Sequence, residues 1–311
     1  MRLSIILPVY NEEGSLKELY QEIKEKLNKL KFKYEIIAVN DGSIDRSKEI
    51  LEDIAKNDPS FKVIHLSKNY GQTAALSAGI EVAQGEIFIP MDSDLQNDPA
   101  DIPKFVELID QGFDVVAGWR KDRKDNLLRR LPSIVANKII SYITKVVLHD
   151  YGCTMKAYKK EIIQDIRFYG EMHRFMPVYV AWHGAKIHEL EVNHRPRKHD
   201  KSKYGISRTF RVILDLLTVK FLMTYLAKPM HFFGRVGLYS LFFSIVSGVT
   251  AIVFRFNGVH FNRTPLPLLT VFLIMMGVQF ILMGILAEIL IRIYHEPRGR
   301  ATYSVHRKVN F

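Results

Sequence analysis

Ile87-Phe88-Ile89-Pro90-Met91-Asp92-Ser93-Asp94-Leu95-Gln96 is the stretch around which the rest of the chain is organised. Its apolar start, with β-branched isoleucines and a phenylalanine, predicts a short buried strand. The strand stops at two carboxylates, Asp92 and Asp94, followed by the amide of Gln96. Ligands of open α/β sheets bind just beyond the carboxyl ends of the strands. An Asp-x-Asp there supplies closely spaced hard oxygens, the donors that Mg²⁺ or Mn²⁺ takes when it also holds a diphosphate. Taken alone, the pattern is equally an acidic strand-to-turn junction.

Strands and helices alternate on either side of it. A first strand over Arg2–Val9 runs into Pro8-Val9-Tyr10-Asn11-Glu12 and a helical pattern from about Glu13 to Leu30. A second strand, Tyr34–Val39, ends in Asn40-Asp41-Gly42-Ser43, a polar turn that also suits a helix N-cap. A third, Lys62–Leu66, leads through Asn69-Tyr70-Gly71 to a small-residue helix over Ala74–Ala83. A helix from about Ala100 and a fifth strand over Asp114–Ala117, ending at Gly118-Trp119-Arg120, follow the central strand. Beyond it the pattern turns helical over Leu127–Leu148, and Lys186–Val192 reads as one more strand. This order predicts an α/β protein with a mostly parallel, doubly wound sheet and helices on both faces. Its polar clusters would then converge on one rim. Asp41 suits a ribose or base there, and Gly71 either a close backbone approach or a plain turn. No Gly-x-Gly-x-x-Gly follows the first strand and no P-loop is present, which argues against dinucleotide oxidoreductases and nucleoside triphosphatases.

The chain has 311 residues, a formal net charge of +11 and one cysteine. That charge admits nucleic acid, an anionic membrane or phosphate-bearing substrates as partners. Cys153 alone can form neither an internal disulfide nor a cysteine zinc cluster, and between Gly152 and Thr154 it reads as a small packing residue. The histidines from His173 to His199 include no His-x-x-x-His pair and read as surface or phosphate-contacting groups rather than a metal set.

A mean hydropathy near zero conceals a segregated chain. Val236–Phe254 and Leu266–Ala287 carry no charge, and each is long enough to cross a hydrocarbon core of about 30 Å. Ile206–Lys228 is also about as long as a membrane span, but Arg211, Asp215 and Lys220 would each cost roughly 2.5–3.5 kcal/mol at a bilayer centre. It is expected to lie in the headgroup region as an amphipathic helix. Ten Lys and Arg fall between Asn193 and the first span, against Arg255 and Arg263 in the connecting loop. Five more follow the second span, so the positive-inside rule places both termini in the cytoplasm. The expected division is a catalytic domain over 1–205, an interfacial region over 206–231, two spans within 232–292 (about 236–254 and 266–291) and a tail over 293–311.

Pro8-Val9-Tyr10-Asn11-Glu12, Asn40-Asp41-Gly42-Ser43-Ile44-Asp45, Asn69-Tyr70-Gly71 and Met91-Asp92-Ser93-Asp94-Leu95-Gln96 together resemble the family 2 glycosyltransferases of GT-A fold. Over nearly its whole length the chain is similar to the membrane enzymes that load a sugar onto a polyprenyl phosphate. That resemblance implies a nucleotide-sugar pocket lined by Pro8, Tyr10, Glu12, Asp41, Gly71 and Asp92. It implies a Mg²⁺ or Mn²⁺ site at Asp92, Asp94 and Gln96, with Asp94, Asp150 and Arg120 at the reaction centre. The acceptor phosphate would meet Arg120, Arg130 and Ser133, and the basic loop Asn193–Gly205 through Arg195, Arg197 and Lys203. The reaction implied is transfer with inversion of a sugar, glucose and a UDP donor favoured, to undecaprenyl or dolichyl phosphate at the cytoplasmic face of the cell membrane. A polyprenyl phosphate is already anionic at pH 7, so cations that screen two approaching anions matter more than a strong base. Asp150 is then either a base or an organiser of those cations.

Three other readings compete. A processive polysaccharide synthase shares the sheet, but neither Trp119 nor Trp182 lies in the Gln-x-x-Arg-Trp motif of that group. A non-catalytic membrane partner that binds nucleotide or lipid phosphate would tolerate a degraded site, and none of these positions is degraded. Nucleic acid is not expected, because the basic loop lacks stacking aromatics. A homo-oligomer is compatible with the sequence.

Overall fold

The computed structural model describes residues 1–121, 137–138, 140–141, 144–163, 176–182, 184–196, 229–295 and 305–309. The chain divides into two compact units, Met1–Leu217 with Ala301–Phe311, and Thr218–Arg300.

The first unit is built on one sheet. Its strands are β1 (Leu3–Val9), β2 (Tyr34–Asn40), β3 (Phe61–Leu66), β4 (Ile87–Pro90), β5 (Val115–Trp119), β6 (Lys156–Lys159), β7 (Ile187–Glu191) and β8 (Val305–Val309), in the spatial order β7-β5-β6-β4-β1-β2-β3-β8. The helices are α1 (Leu16–Leu27), α2 (Ser47–Asn57), α3 (Gln72–Val82), α4 (Ile102–Asp110), a short α5 (Lys160–Ile163) and α6 (Met176–Trp182). β1 lies centrally, parallel to β2 and to β4.

Two-residue periodicity splits the core. Leu3, Ile5, Leu7 and Val9 join Leu19, Ile23, Leu51 and Phe105 on one face of the sheet. Ile6, Ile37, Val39, Ile64 and Phe88 join Leu76 and Ile80 of α3 on the other. Because β1 and β4 are buried on both faces, they read as continuous apolar runs.

The sheet is mostly parallel, as expected, and two strands make the exceptions. β6 runs antiparallel to both β4 and β5, and β8 antiparallel to β3. Neither is legible as a strand: Lys156-Ala157-Tyr158-Lys159 is too short to display a period, and Val305–Val309 places three polar residues between two valines. β8 also shows that part of the segment read as a tail is a sheet edge.

The second unit contains α7 (Met230–Phe256) and α8 (Leu266–His295), each long and apolar enough to cross a membrane. Gly237 and Gly277 let the two backbones approach: a Cβ on Gly237 would fall 2.9 Å from the Gly277 carbonyl oxygen. Thr270 Oγ1 donates to Ser247 Oγ at 3.0 Å, joining the helices by a polar pin. Outward, Leu238, Phe242, Leu268 and Met275 are between 58% and 76% exposed, an apolar surface that water would not favour. The amphipathic segment expected over 206–228 lies outside the described residues.

One buried pair supports the sheet. Glu35 on β2 is fully enclosed, accepts from Ser4 Oγ and Gln84 N at 2.6 Å, and meets Lys62 Nζ of β3 at 2.8 Å. Burial pushes its pKa up, but the Lys62 and Ser4 hydrogen bonds outweigh that and hold the carboxyl below its usual range. Its contribution to stability is therefore full above the unfolded glutamate value of about 4.3 and is lost as pH falls through the lower folded value. Lys62→Met leaves the carboxylate buried without its cation and is expected to destabilise the protein by about 3–5 kcal/mol at pH 7. Denaturant titration of the full chain in detergent should also show the deficit shrinking toward pH 4, where the stranded carboxyl takes up a proton.

Candidate active site

The rim formed by the carboxyl ends of β1, β2, β3 and β4 is tied together by side-chain-to-backbone hydrogen bonds. After β1, Asn11 takes a left-handed conformation (φ 53°), donates its N–H to Ser43 Oγ at 3.0 Å and accepts from Ile44 N at 2.9 Å. Glu12 N donates to Ser47 Oγ at 2.9 Å, and Ser15 Oγ donates to the Ser93 carbonyl at 2.6 Å. Ser93 Oγ in turn donates to the Pro8 carbonyl at 2.6 Å. The loop after β1 is thereby fastened to those after β2 and β4. Tyr10 stands 36% exposed at this rim.

Asp41, expected to face a nucleoside, has a structural task as well. Its Oδ1 accepts from Tyr70 N at 2.7 Å and its Oδ2 from Gly71 N at 2.8 Å. The carboxylate thus shapes the loop between β3 and α3. Burial raises its pKa, and the two N–H donors only partly oppose that. Gly42 (φ +67°) sits so close to this loop that a Cβ would fall 2.4 Å from Lys68 C and 2.6 Å from Asn69 N. Gly71, at φ +94°, opens α3 in a conformation that L side chains rarely adopt.

Asp92 and Asp94 leave β4 as the sequence suggests. Asp92 accepts from Gln72 Nε2 at 2.9 Å, its N–H donates to Asn97 Oδ1 at 3.0 Å, and Thr154 supplies a further side-chain hydrogen bond. Burial, and then the negative charge of Asp94, push the Asp92 pKa up to about 6. Asp94, largely buried, accepts from Gln96 N at 3.1 Å. Between them Leu95 is fully buried at φ +63°, a conformation that costs a bulky residue of the order of 1–3 kcal/mol. The Gln96 side-chain amide turns toward the Arg195 carbonyl, at 3.5 Å.

Across the rim, Arg120 at the end of β5 grips Asp150 with two nitrogens, Nε to Oδ2 at 2.6 Å and Nη2 to Oδ1 at 3.0 Å. Burial works against the guanidinium charge, but Asp150 more than restores it, and the field of Asp92 adds to the effect. Gly152 N also donates to Asp150, at 3.0 Å. Both Asp150 oxygens are therefore committed to organising Arg120. Cys153 is buried beside this pair, and burial pushes its thiol up to about 11, which suits a packing residue and not a nucleophile. Lys156 Nζ is buried and turned onto the carbonyls of Tyr151 and Cys153.

Asp92, Asp94, Arg120 and Asp150 are thus brought together, with Pro8, Glu12, Asp41 and Gly71 on the same rim. Arg195 is tied instead to Glu22 and Asp98. Arg130, Ser133, Arg197 and Lys203 lie outside the described residues. Two contributors escaped the sequence reading, Gln72 and Thr154, both of which hold Asp92. Their signal is weak because a neutral side chain one residue past a glycine, or in a short turn, has no spacing rule. Among the described residues no group of three or more His, Cys, Asp or Glu could hold a metal. Two repelling carboxylates do fit a hard divalent cation that completes its shell with water and substrate phosphates.

Gly42→Ala would drive a methyl group into the Lys68–Asn69 backbone and push the loop off Asp41. Affinity for a nucleoside diphosphate, measured calorimetrically, should fall at least about tenfold, equivalent to ~1.4 kcal/mol, while far-ultraviolet circular dichroism stays unchanged.

The pattern of the glycosyl transferase family 2 matches residues 4–167. The chain is 41% identical over 316 aligned positions to the dodecaprenyl-phosphate galacturonate synthase of Rhizobium johnstonii, covering 99% of this chain and 93% of the relative. It is 36% identical to the undecaprenyl-phosphate 4-deoxy-4-formamido-L-arabinose transferase of Pseudomonas aeruginosa, covering 99% and 90%. Among solved structures, the glucosyl-3-phosphoglycerate synthase of Mycobacterium tuberculosis, in complex with Mn²⁺, UDP and phosphoglyceric acid, superposes with a TM-score of 0.56 at 16% identity, covering 70% of this chain and 78% of that one. Staphylococcus aureus TarS bound to UDP-GlcNAc gives 0.52 at 20% identity, covering 71% and 67%. These structural likenesses bear on the fold, which is GT-A. With a family match across more than half of its length and relatives aligned nearly end to end, the chain belongs to glycosyltransferase family 2.

Proposed function

We propose that the protein transfers a sugar from a nucleotide sugar, UDP-linked, to a polyprenyl phosphate at the cytoplasmic membrane face, with a divalent metal and with inversion. The observation that carries this reading is the intact rim: two carboxylates facing a buried, bidentately held Arg120, on a chain that also bears two exposed apolar helices. Relatives aligned over 99% of the chain are named for dodecaprenyl- and undecaprenyl-phosphate products, and the structural neighbours hold UDP or UDP-GlcNAc. Those relatives' names carry galacturonate and formamidoarabinose in place of the glucose favoured by the sequence reading. These two sugars head the donors to be tried.

Asp92 and Asp94 would hold Mg²⁺ or Mn²⁺, which when bound neutralises charge developing on the leaving diphosphate. Gln72 and Thr154 keep Asp92 aimed into the rim. Arg120, fixed by Asp150, presents a permanent cation where two anions must approach. Asp150 acts in this scheme as organiser and not as base, since Arg120 and Gly152 N occupy both its oxygens. The acceptor needs no deprotonation.

Chain connectivity supports the membrane topology. β7 precedes both long helices and β8 follows them, yet both strands belong to one sheet. An open hydrogen-bonded sheet does not extend through hydrocarbon. Two crossings return the chain to the side it left, in agreement with the distribution of Lys and Arg.

Purified protein in detergent, offered undecaprenyl phosphate and a panel of UDP- and GDP-sugars, is expected to give metal-dependent lipid-phosphate sugar from a UDP donor, and none with EDTA. Asp94→Asn should nearly abolish turnover; wild-type rates at saturating Mg²⁺ would overturn its assignment. Asp150→Asn should lower kcat about 10²–10³-fold, as for loss of a preorganised charge, without moving the pH profile. For topology, a cysteine introduced at Asn262 in a Cys153→Ala background should react with an impermeant maleimide in intact cells, whereas one at Lys48 should react only after permeabilisation.

A further inference from the structure

Residues 193–195, the start of the basic loop, run against the Asp-x-Asp turn. His194 pairs antiparallel with Asn97, Arg195 N donates to the Gln96 carbonyl at 2.9 Å, and Asn193 N donates to Asp101 Oδ2 at 2.8 Å. On this seam the Arg195 guanidinium closes a clamp. Its Nη1 reaches Glu22 Oε1 and Oε2 of α1 at 2.9 and 2.7 Å, and its Nη2 reaches Asp98 Oδ1 at 2.9 Å. Asp98 is the N-cap of the helical turn that follows the Asp-x-Asp, its side chain accepting from Ala100 N. One planar cation thereby joins three segments that are far apart in sequence.

The arrangement places the guanidinium poorly to serve a phosphate. Nη1 and Nη2 are both engaged by carboxylates that already offset its charge, and a lipid phosphate would have to compete with them. The neighbouring turn also contains Leu95 in its strained left-handed conformation, which persists only where surroundings over-determine it. The backbone bonds of 193–195 and the Arg195 clamp are part of those surroundings.

We infer that Arg195 is a positioning residue that latches residues 193–195, where the basic loop begins, onto the Asp-x-Asp turn through Glu22 and Asp98, so that the metal and diphosphate end is held against that starting point. The inference rests on the transferase reading for what that end binds, but the latch itself is testable without any turnover.

Hydrogen–deuterium exchange on the full-length protein in detergent is the primary test. Glu22→Gln keeps the shape of the side chain and touches neither the Asp-x-Asp carboxylates nor Arg120. It should raise amide exchange across 94–98 and 193–195 about tenfold, with β1 and β2 unchanged, and Arg195→Gln should do the same. The double variant should be no worse than either single change. In kinetics, each single variant should raise the Mn²⁺ half-activation concentration and the KM for donor and lipid phosphate together, with a smaller effect on kcat, and Arg195→Lys should restore little because an ammonium cannot span both carboxylates. Wild-type exchange and kinetics in Glu22→Gln, with Arg195→Gln raising only the KM for lipid phosphate, would make Arg195 a direct phosphate ligand and overturn the latch. Were wild-type protein to transfer no sugar at all, the exchange comparison would still decide the latch, while the transferase reading would fall separately.

Discussion

Two carboxylates, Asp92 and Asp94, are held at the end of a buried strand against their mutual repulsion, and much of the surrounding structure follows from that constraint. Bringing two anions together where water is scarce is unfavourable, and the rise in the Asp92 pKa to about 6 expresses the cost. The protein meets it with donors from several directions. Gln72 and Thr154 bind Asp92, Gln96 N binds Asp94, and Arg120 contributes its field from β5. What remains is a pair of closely spaced carboxylates, a donor set that fits a hard divalent cation.

The same logic explains why Arg120 and Asp150 form a fixed unit. A guanidinium this deeply buried requires a carboxylate, and Asp150 answers with two-point contact, itself steadied by Gly152 N. In the proposed transfer, a pair of this kind would carry its charge into the reaction without reorganising. Asp41 follows the same pattern: two backbone N–H groups hold the buried carboxylate, and through it the loop that opens α3.

Much of the rim could be anticipated because its residues sit where a strand pattern breaks into polar residues. Asp41, Gly71, Asp92, Asp94 and Arg120 all announce themselves in this way. Gln72 and Thr154 do not, since their role depends on which carboxylate the fold brings alongside. Arg195 is a further case. In a stretch rich in Arg and Lys nothing marks it out from its neighbours, yet α1 supplies Glu22 as its partner from 173 residues away.

For the chain as a whole, local patterning determined the elements: apolar runs the width of a sheet or the thickness of a bilayer, polar breaks at strand ends, and an uneven distribution of Lys and Arg. These properties depend on near neighbours and on solvent, so they can be read in one dimension. Only the tertiary structure decided that β6 and β8 run antiparallel, that β8 rejoins the sheet after both long helices, that Asp150 binds Arg120, and that Arg195 is already engaged. The physical reason is common to all four. A hydrogen bond or ion pair between distant segments is set by which groups folding brings within about 3 Å of each other, and separation along the chain does not encode that distance.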